Sequence, residues 1–218
     1  GAGVTAGSIV LHPELKRLVI CEIEPRVAGA ARLFGKENHH VLDDPRVQVV
    51  YDDARHFLAT TDERFDVITS DPIHPWVRGN SVLFSREYYE IVKSRLAPGG
   101  LATQWVPLYD TSEKAIQIQM RTFIGAFPNG SVWNSSASGR GYDVVLLGRT
   151  DPKAIDVFSI QQRLSYNPAV HDSLAEVGVS TCLVDGDLRR PCVAPAFGLV
   201  QDGGLTTVLI GQASGEDV

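Results

Sequence analysis

The chain has 218 residues, of which 44% are apolar and 21% charged, the balance of a globular protein rather than a disordered or collagen-like one. Its 26 acidic and 20 basic residues leave a net charge of −6, so no basic surplus exists to neutralise a phosphate backbone, and nucleic acid is not an expected partner. No apolar run approaches the ~20 residues of a membrane helix. The three cysteines, Cys21, Cys182 and Cys192, form no CxxC pair, which reads as thiols in a reducing, cytoplasmic compartment.

Leu18 to Glu24 is a short apolar run ending in alternation, and it predicts a strand. Pro25 opens a helix over 26–36, with Ala28, Ala30, Ala31, Leu33 and Phe34 as its apolar content. Val47–Tyr51 is the next strand, and Asp52, Asp53 and Ala54 lead into a short helix with Phe57 and Leu58. Phe65–Ser70 is a third strand, followed by a proline-bearing loop to about Leu83. Ser85 caps a helix from Arg86 to Leu96, with Glu87 in its first turn. Pro98-Gly99-Gly100 is a turn, Leu101–Val106 a fourth strand, and a helix follows from about Thr111 to Phe127. Strands over Ser131–Asn134 and Tyr142–Gly148 are closely linked and antiparallel. Residues 152–164 and 168–177 read as two small helices, and from Cys182 onward only Leu205–Ile210 shows a pattern. Strands alternating with helices predict an α/β fold with a mostly parallel sheet, an antiparallel edge and helices on both faces. The organisation expected is a domain over 1–150 and a helical extension with a poorly specified tail over 151–218.

Ligands of open α/β sheets bind outside the carboxyl ends of the strands, so the candidates are the residues where each strand stops. Gly1 and Gly3 lie in a glycine-rich opening, where backbone N–H groups can approach a ligand closely. Glu22 lies 19 residues after Gly3 at a strand end, the spacing at which nucleotide-binding sheets bind a ribose hydroxyl. Glu24 faces the same way and is the competitor. Asp53 ends the next strand and suits either an adenine amino group or a helix N-cap, with Asp52 the rival cap. Asp71 emerges after Ser70 in a loop stiffened by Pro72 and Pro75 and flanked by Trp76. Asp66 starts that strand and is expected to be solvated. His74 reads as a base, a hydrogen-bond donor or a plain loop residue. Gln104 ends the fourth strand on the same side.

Taken in order, these pieces resemble the spermidine synthase family of polyamine aminopropyltransferases, over about residues 1–150. The resemblance rests on Gly1-Ala2-Gly3 with Thr5 and His12-Pro13, on Cys21-Glu22-Ile23-Glu24, and on Asp44-Pro45-Arg46-Val47 with Asp52-Asp53-Ala54. It continues through Phe65–Asp71, Leu83–Tyr89 and Leu96–Gly100 with Gln104. It implies a Rossmann-like, methyltransferase-type domain that binds decarboxylated S-adenosylmethionine as co-substrate. Gly1, Gly3, Glu22, Asp53 and Gln104 would serve the nucleoside, Asp71 would be the catalytic base, and His74 and Trp76 would contact a small-molecule amine. No metal is required, and a homodimer is compatible with the resemblance. Two positions depart from the family pattern. Ala2 stands where an aspartate usually holds the donor's amino end, and His74 stands where a second aspartate usually helps bind the amine. The family's small N-terminal β domain has no counterpart here, and the chain is similar to divergent bacterial members with a Ser-Asp/Glu-Pro…Pro-Trp loop.

The implied activity is aminopropyl transfer to an amine in polyamine biosynthesis. The alternatives are an S-adenosylmethionine-dependent methyltransferase on the same scaffold and a non-catalytic nucleotide-binding module. The resemblance further implies a strand between those ending at Glu24 and Ser70, leading into the glycine loop. The chain is read as truncated before Gly1, leaving a gap, a collapsed sheet or a substitute strand, for which Leu205–Gly211 is the candidate.

Overall fold

The computed structural model describes residues 1–72, 74–137, 140–152, 155–170, 172 and 180–184. The chain divides into two compact units, residues 1–61 with 154–178 and residues 62–153 with 179–218. Leu205–Gly211, Cys192 and most of the expected 168–177 helix lie outside the described residues.

In the first unit, helix α1 (Val4–Val10) precedes strand β1 (Leu18–Cys21), helix α2 (Pro25–Ala31), strand β2 (Val47–Val50) and helix α3 (Ala54–Thr60). β1 and β2 pair in parallel, Leu18 opposite Val47 and Cys21 opposite Val50. Pro25 occupies the first turn of α2, where its missing N–H costs nothing. The helix is shorter than its apolar content suggests. The buried Asn38 donates Nδ2 to Ala31 O at 2.7 Å, and the chain tightens into a 3₁₀ turn over Arg32–Phe34. Leu33, counted in the apolar content of the expected helix, is 85% exposed.

Arg46 holds the start of this unit to β2. Its guanidinium grips Asp44 through Nε at 3.0 Å and a terminal nitrogen at 2.7 Å. It also donates to Val10 O at 2.6 Å and His12 O at 3.2 Å, the carbonyls that end α1 and begin the next loop. Helix α6 (Val157–Tyr166) also belongs to this unit, with Asp156 capping it through Ser159 N.

Among the described residues, the second unit is a five-stranded sheet with two α-helices. Strand β3 (Phe65–Ser70) pairs in parallel with β4 (Leu96–Pro107). β4 then pairs antiparallel with β6 (Arg140–Arg149), which pairs antiparallel with β5 (Ser131–Ala137). The order is β3-β4-β6-β5-β7, with β7 formed by Ser180–Val184. The α/β fold with parallel strands and an antiparallel edge is therefore the one expected. β7 was not, because a five-residue edge strand carries too little alternation to stand out.

β4 also starts earlier than expected. Phe65 pairs with Leu96 and Val67 with Leu101, so Ala97–Gly100 bulge out and the expected turn sits within the strand. Gly99 there adopts φ +77°, which favours glycine.

Helices α4 (Arg86–Arg95) and α5 (Glu113–Ala126) cover this sheet. Each is capped by a serine, Ser85 through Tyr88 N and Ser112 through Ala115 N. The buried stripes are Tyr88, Tyr89 and Val92 on α4 and Gln119, Met120, Phe123 and Ala126 on α5, at helical spacing. Tyr89 meets Phe123 edge-on at 5.1 Å, and Phe123 meets Phe127 at 5.0 Å. Removing each phenylalanine from water is worth about 1.5–3 kcal/mol. Two cations from neighbouring segments cover helix ends. Arg64 donates to Ser94 O and Leu96 O, and Lys93 donates to Ala126 O.

Candidate active site

The parallel register of β1 and β2 places Glu22 and Asp52-Asp53 at the same carboxyl end of the two-stranded sheet. Glu22 N continues the ladder by donating to Val50 O at 2.9 Å. Glu22 Oε2 receives the amino group of Gly1 at 3.0 Å, and its Oε1 receives Glu24 N at 3.1 Å. Partial burial raises this carboxyl, but the Glu24 N–H and the Gly1 amino group outweigh it, and its pKa falls below the usual value. Glu24, the competitor, is spent on α2, where its side chain accepts from Arg26 N. Glu22 is thus the carboxylate aligned with the glycine opening.

Gly3 sits at φ +82° as the residue before α1, a conformation that a side chain would strain. Gly7, one turn on, donates to Gly3 O and packs against the Asn38 backbone so closely that a Cβ would lie 2.4 Å from Asn38 O. Asn38 Nδ2 also donates to Ala2 O at 2.8 Å. Asn38 therefore braces the glycine opening from beneath. It was not singled out from the sequence, since an asparagine in the polar run Glu37-Asn38-His39-His40 carries no spacing signal.

Of the two readings of Asp53, the structure shows the helix N-cap. Its Oδ1 caps α3 by accepting from Arg55 N at 2.8 Å and His56 N at 3.1 Å, while the residue stays exposed. Asp52 is engaged with His56 Nδ1 at 2.7 Å. That hydrogen bond lowers the aspartate and raises the histidine relative to their ordinary values. Cys21 Sγ donates to Asp52 O at 3.2 Å. Burial, then the Asp52 and Asp53 carboxylates, push its thiol up to about 11, so it is not a nucleophile at neutral pH.

In the second unit, Asp71 is exposed directly after β3. Gln104 lies opposite Ser70 across the β3–β4 ladder. Its side chain is 1% exposed, with Nε2 donating to Trp105 O at 3.3 Å and Oε1 buried without a partner. Trp105, the next residue, projects to the opposite face of the strand. There His74 stacks on it with ring centroids 5.7 Å apart and 23° between planes. Trp76 approaches the same imidazole to 4.7 Å, and Tyr109 meets it edge-on at 5.3 Å. Trp105 Nε1 donates to Asp143 Oδ2 at 2.9 Å, which fixes the indole. Trp105, Tyr109 and Asp143 were not among the sequence candidates, because the contacts come from β4, the loop after it and β6.

The sequence candidates therefore form two sets, each within one unit: Gly1, Gly3, Glu22 and Asp53 in the first, and Asp71, His74, Trp76 and Gln104 in the second. Among the described residues, no three His, Cys, Asp or Glu side chains converge as a metal site, and no helix is long and apolar enough to cross a membrane.

Comparison with known proteins bears on both sets. The family description "Spermine/spermidine synthase domain" matches residues 1–124. A polyamine aminopropyltransferase of Aeropyrum pernix is 36% identical over 117 residues, which cover 52% of this chain and 37% of that protein. The chain thus spans little more than a third of that relative's length. A solved spermidine synthase in complex with the transition-state analogue AdoDATO superposes with a TM-score of 0.59 at 21% identity, covering 70% of this chain and 51% of that one. Human methyltransferase-like protein 13, solved with SAH, gives 0.58 at 17% identity over 80% of this chain and 79% of its own. At these identities the two structures establish the fold.

Proposed function

The chain belongs to the spermine/spermidine synthase domain family, and on that premise we propose that it transfers an aminopropyl group from decarboxylated S-adenosylmethionine to an amine. The observation that carries the reading is the extent of the family match. It spans residues 1–124, and so includes every candidate from Gly1 to Gln104.

In the proposed reaction the lone pair of the acceptor nitrogen attacks the aminopropyl carbon next to sulfur. The carbon–sulfur bond breaks with its electron pair going to sulfur. The sulfonium becomes a neutral thioether, methylthioadenosine, and leaves. The proton of the attacking nitrogen passes to the Asp71 carboxylate as general base. Glu22 accepts hydrogen bonds from the ribose hydroxyls, and Asp53 accepts one from the adenine amino group while continuing to cap α3. The glycine opening braced by Asn38 admits the donor close to the backbone. What remains is to hold nitrogen and carbon in line about 3–3.5 Å apart.

Methyl transfer from S-adenosylmethionine is the second reading. Ala2 favours it, because an aspartate at that position would repel the methionine carboxylate, and the superposed methyltransferase-like protein was solved with SAH. The two readings separate on product analysis with each donor in turn. Methylthioadenosine formed from the decarboxylated donor supports aminopropyl transfer, and S-adenosylhomocysteine formed from the other donor refutes it. Asp71→Asn is expected to lower turnover by about 10²–10⁴-fold with nucleoside binding nearly intact. A variant that keeps most of its turnover removes Asp71 from the mechanism.

A further inference from the structure

His56 is joined to both aspartates at the carboxyl end of β2. Its ring Nδ1 meets Asp52 Oδ2 at 2.7 Å, and its backbone N donates to Asp53 Oδ1 at 3.1 Å. Asp52 Oδ1 in turn accepts from Asp53 N at 2.7 Å. The three bonds close a loop: the imidazole fixes Asp52, Asp52 fixes the backbone of Asp53, and the histidine backbone fixes the Asp53 carboxylate. Cys21 Sγ ties the same Asp52 to β1 through its carbonyl. A carboxylate only accepts, so Nδ1 carries a proton whether the ring is neutral or charged. A second proton, on Nε2, turns this contact into an ion pair and strengthens it. The Asp52 carboxylate accordingly raises the histidine above its ordinary value. The charged groups acting on the ring are Asp52 and Asp53. From β1, the titratable neighbours of the pair are Cys21, which stays a thiol, and Glu22, which holds the Gly1 amino group. His56 is 65% exposed, so water screens its charge beyond the nearest groups and the direct bonds carry its effect.

We propose that His56 is a positioning residue for the nucleoside: through Asp52 it holds Asp53 in the orientation that receives the adenine amino group, most firmly as the imidazolium. This rests on the proposed function for the assignment of Asp53 to adenine. Nucleoside affinity is then complete below the histidine titration and falls as pH rises through it. By reciprocity, bound nucleoside raises that titration by the same factor.

The test is calorimetric titration of the full chain with methylthioadenosine on both sides of the ordinary histidine value of about 6.5. Affinity is expected to fall about threefold with rising pH, the scale of an exposed ion pair. His56→Asn keeps an N–H for Asp52 but no charge, and is expected to bind like the high-pH form at every pH. His56→Ala, which offers neither, is expected to bind more weakly still. Affinity independent of pH in the unaltered chain, no binding at all, or His56→Ala binding as tightly as the unaltered chain overturns the inference. So does a pH step that survives His56→Asn, since the Gly1 amino group titrates in the next range up. If neither variant folds, the His56 ring titration in the unaltered chain, followed by NMR, decides: an upward shift on adding methylthioadenosine sustains the inference, and an unmoved titration overturns it. The proposed activity is judged separately. Absence of transfer with the pH-linked binding intact counts against the aminopropyltransferase reading only, and transfer without that linkage counts against the role of His56 only.

Discussion

Replacing Gly7 by alanine tests how the glycine opening is held. The added methyl would lie 2.4 Å from Asn38 O, 2.6 Å from its carbonyl carbon and 2.8 Å from its Cα. The atoms it meets are backbone, so no side-chain rotation relieves the contact, and α1 and the Asn38 backbone must part by about 1 Å to reach ordinary van der Waals contact. That separation strains the bonds from Asn38 Nδ2 to Ala2 O and Ala31 O, now 2.8 and 2.7 Å. Overpacking of this kind costs about 1–3 kcal/mol, and a buried amide left short of partners costs about 1–3 kcal/mol. Higher helix propensity returns about 1 kcal/mol. The net expectation is a loss of about 2–3 kcal/mol, a fall in melting temperature of about 5–10 °C for a chain of this size. Gly29→Ala is the internal control. Gly29 also lies within a helix, α2, but its added methyl would meet nothing within 4 Å, so it is expected to stabilise the chain by up to about 1 kcal/mol. The two variants are compared by thermal and urea unfolding, with methylthioadenosine binding measured on each. Equal melting temperatures would refute the close seating of α1 on Asn38. Unimpaired nucleoside binding by a destabilised Gly7→Ala would show that the opening plays no part in the donor site.

Two further outcomes are expected. Arg46 holds the Asp44 carboxyl down at about 2, so the pair's contribution to stability is complete above the ordinary carboxylate range and is lost as pH falls through about 2. The stability difference between the unaltered chain and Asp44→Asn is therefore expected to be constant near neutrality and to shrink between about pH 4 and 2; a difference that grows on acidification would contradict this. Glu22→Gln and Asp53→Asn are each expected to weaken methylthioadenosine binding by about 1.5–3 kcal/mol, the range for hydrogen bonds to charged groups. Calorimetric titrations indistinguishable from the unaltered chain for both would place the nucleoside elsewhere.

The elements with strong local signals are legible in the sequence. Ser85 and Pro25 mark helix starts through chemistry confined to one turn, and the apolar runs of β1, β2 and β3 announce strands without help from distant residues. The end of α2 was not legible, because the group that terminates it is a side chain seven residues away, Asn38. The site divides along the same line. Glu22, Asp53 and Asp71 follow strand ends and can be located by counting. The clamp around His74 depends on a bond between Trp105 and Asp143, 38 residues apart, and a single sequence offers no way to join them. Asp53 is a third case: capping and ligand binding were posed as rivals, and the structure shows the cap, made through one carboxylate oxygen.

The bulge in β4 bears on how this chain tolerates changes in length. Between the Phe65–Leu96 and Val67–Leu101 pairs, β3 advances two residues while β4 advances five. From Leu101 to Gln104, β4 is held on one side by β3 and on the other by β6, and the β6 ladder continues to Pro107, with Leu101 opposite Arg149 and Pro107 opposite Asp143. The inward or outward facing of Gln104, in both ladders, and of Trp105, opposite Val145 on β6, is thus set by strand pairing and not by the number of residues since α4. A one-residue insertion or deletion among residues 97–99 is absorbed where the strands already part company. The same change between Leu101 and Trp105 would exchange the two faces of the strand, driving an indole toward the core and an amide toward the histidine. Natural variation and engineered loops in relatives of this chain should therefore collect on one side of Gly100 and stop at the other.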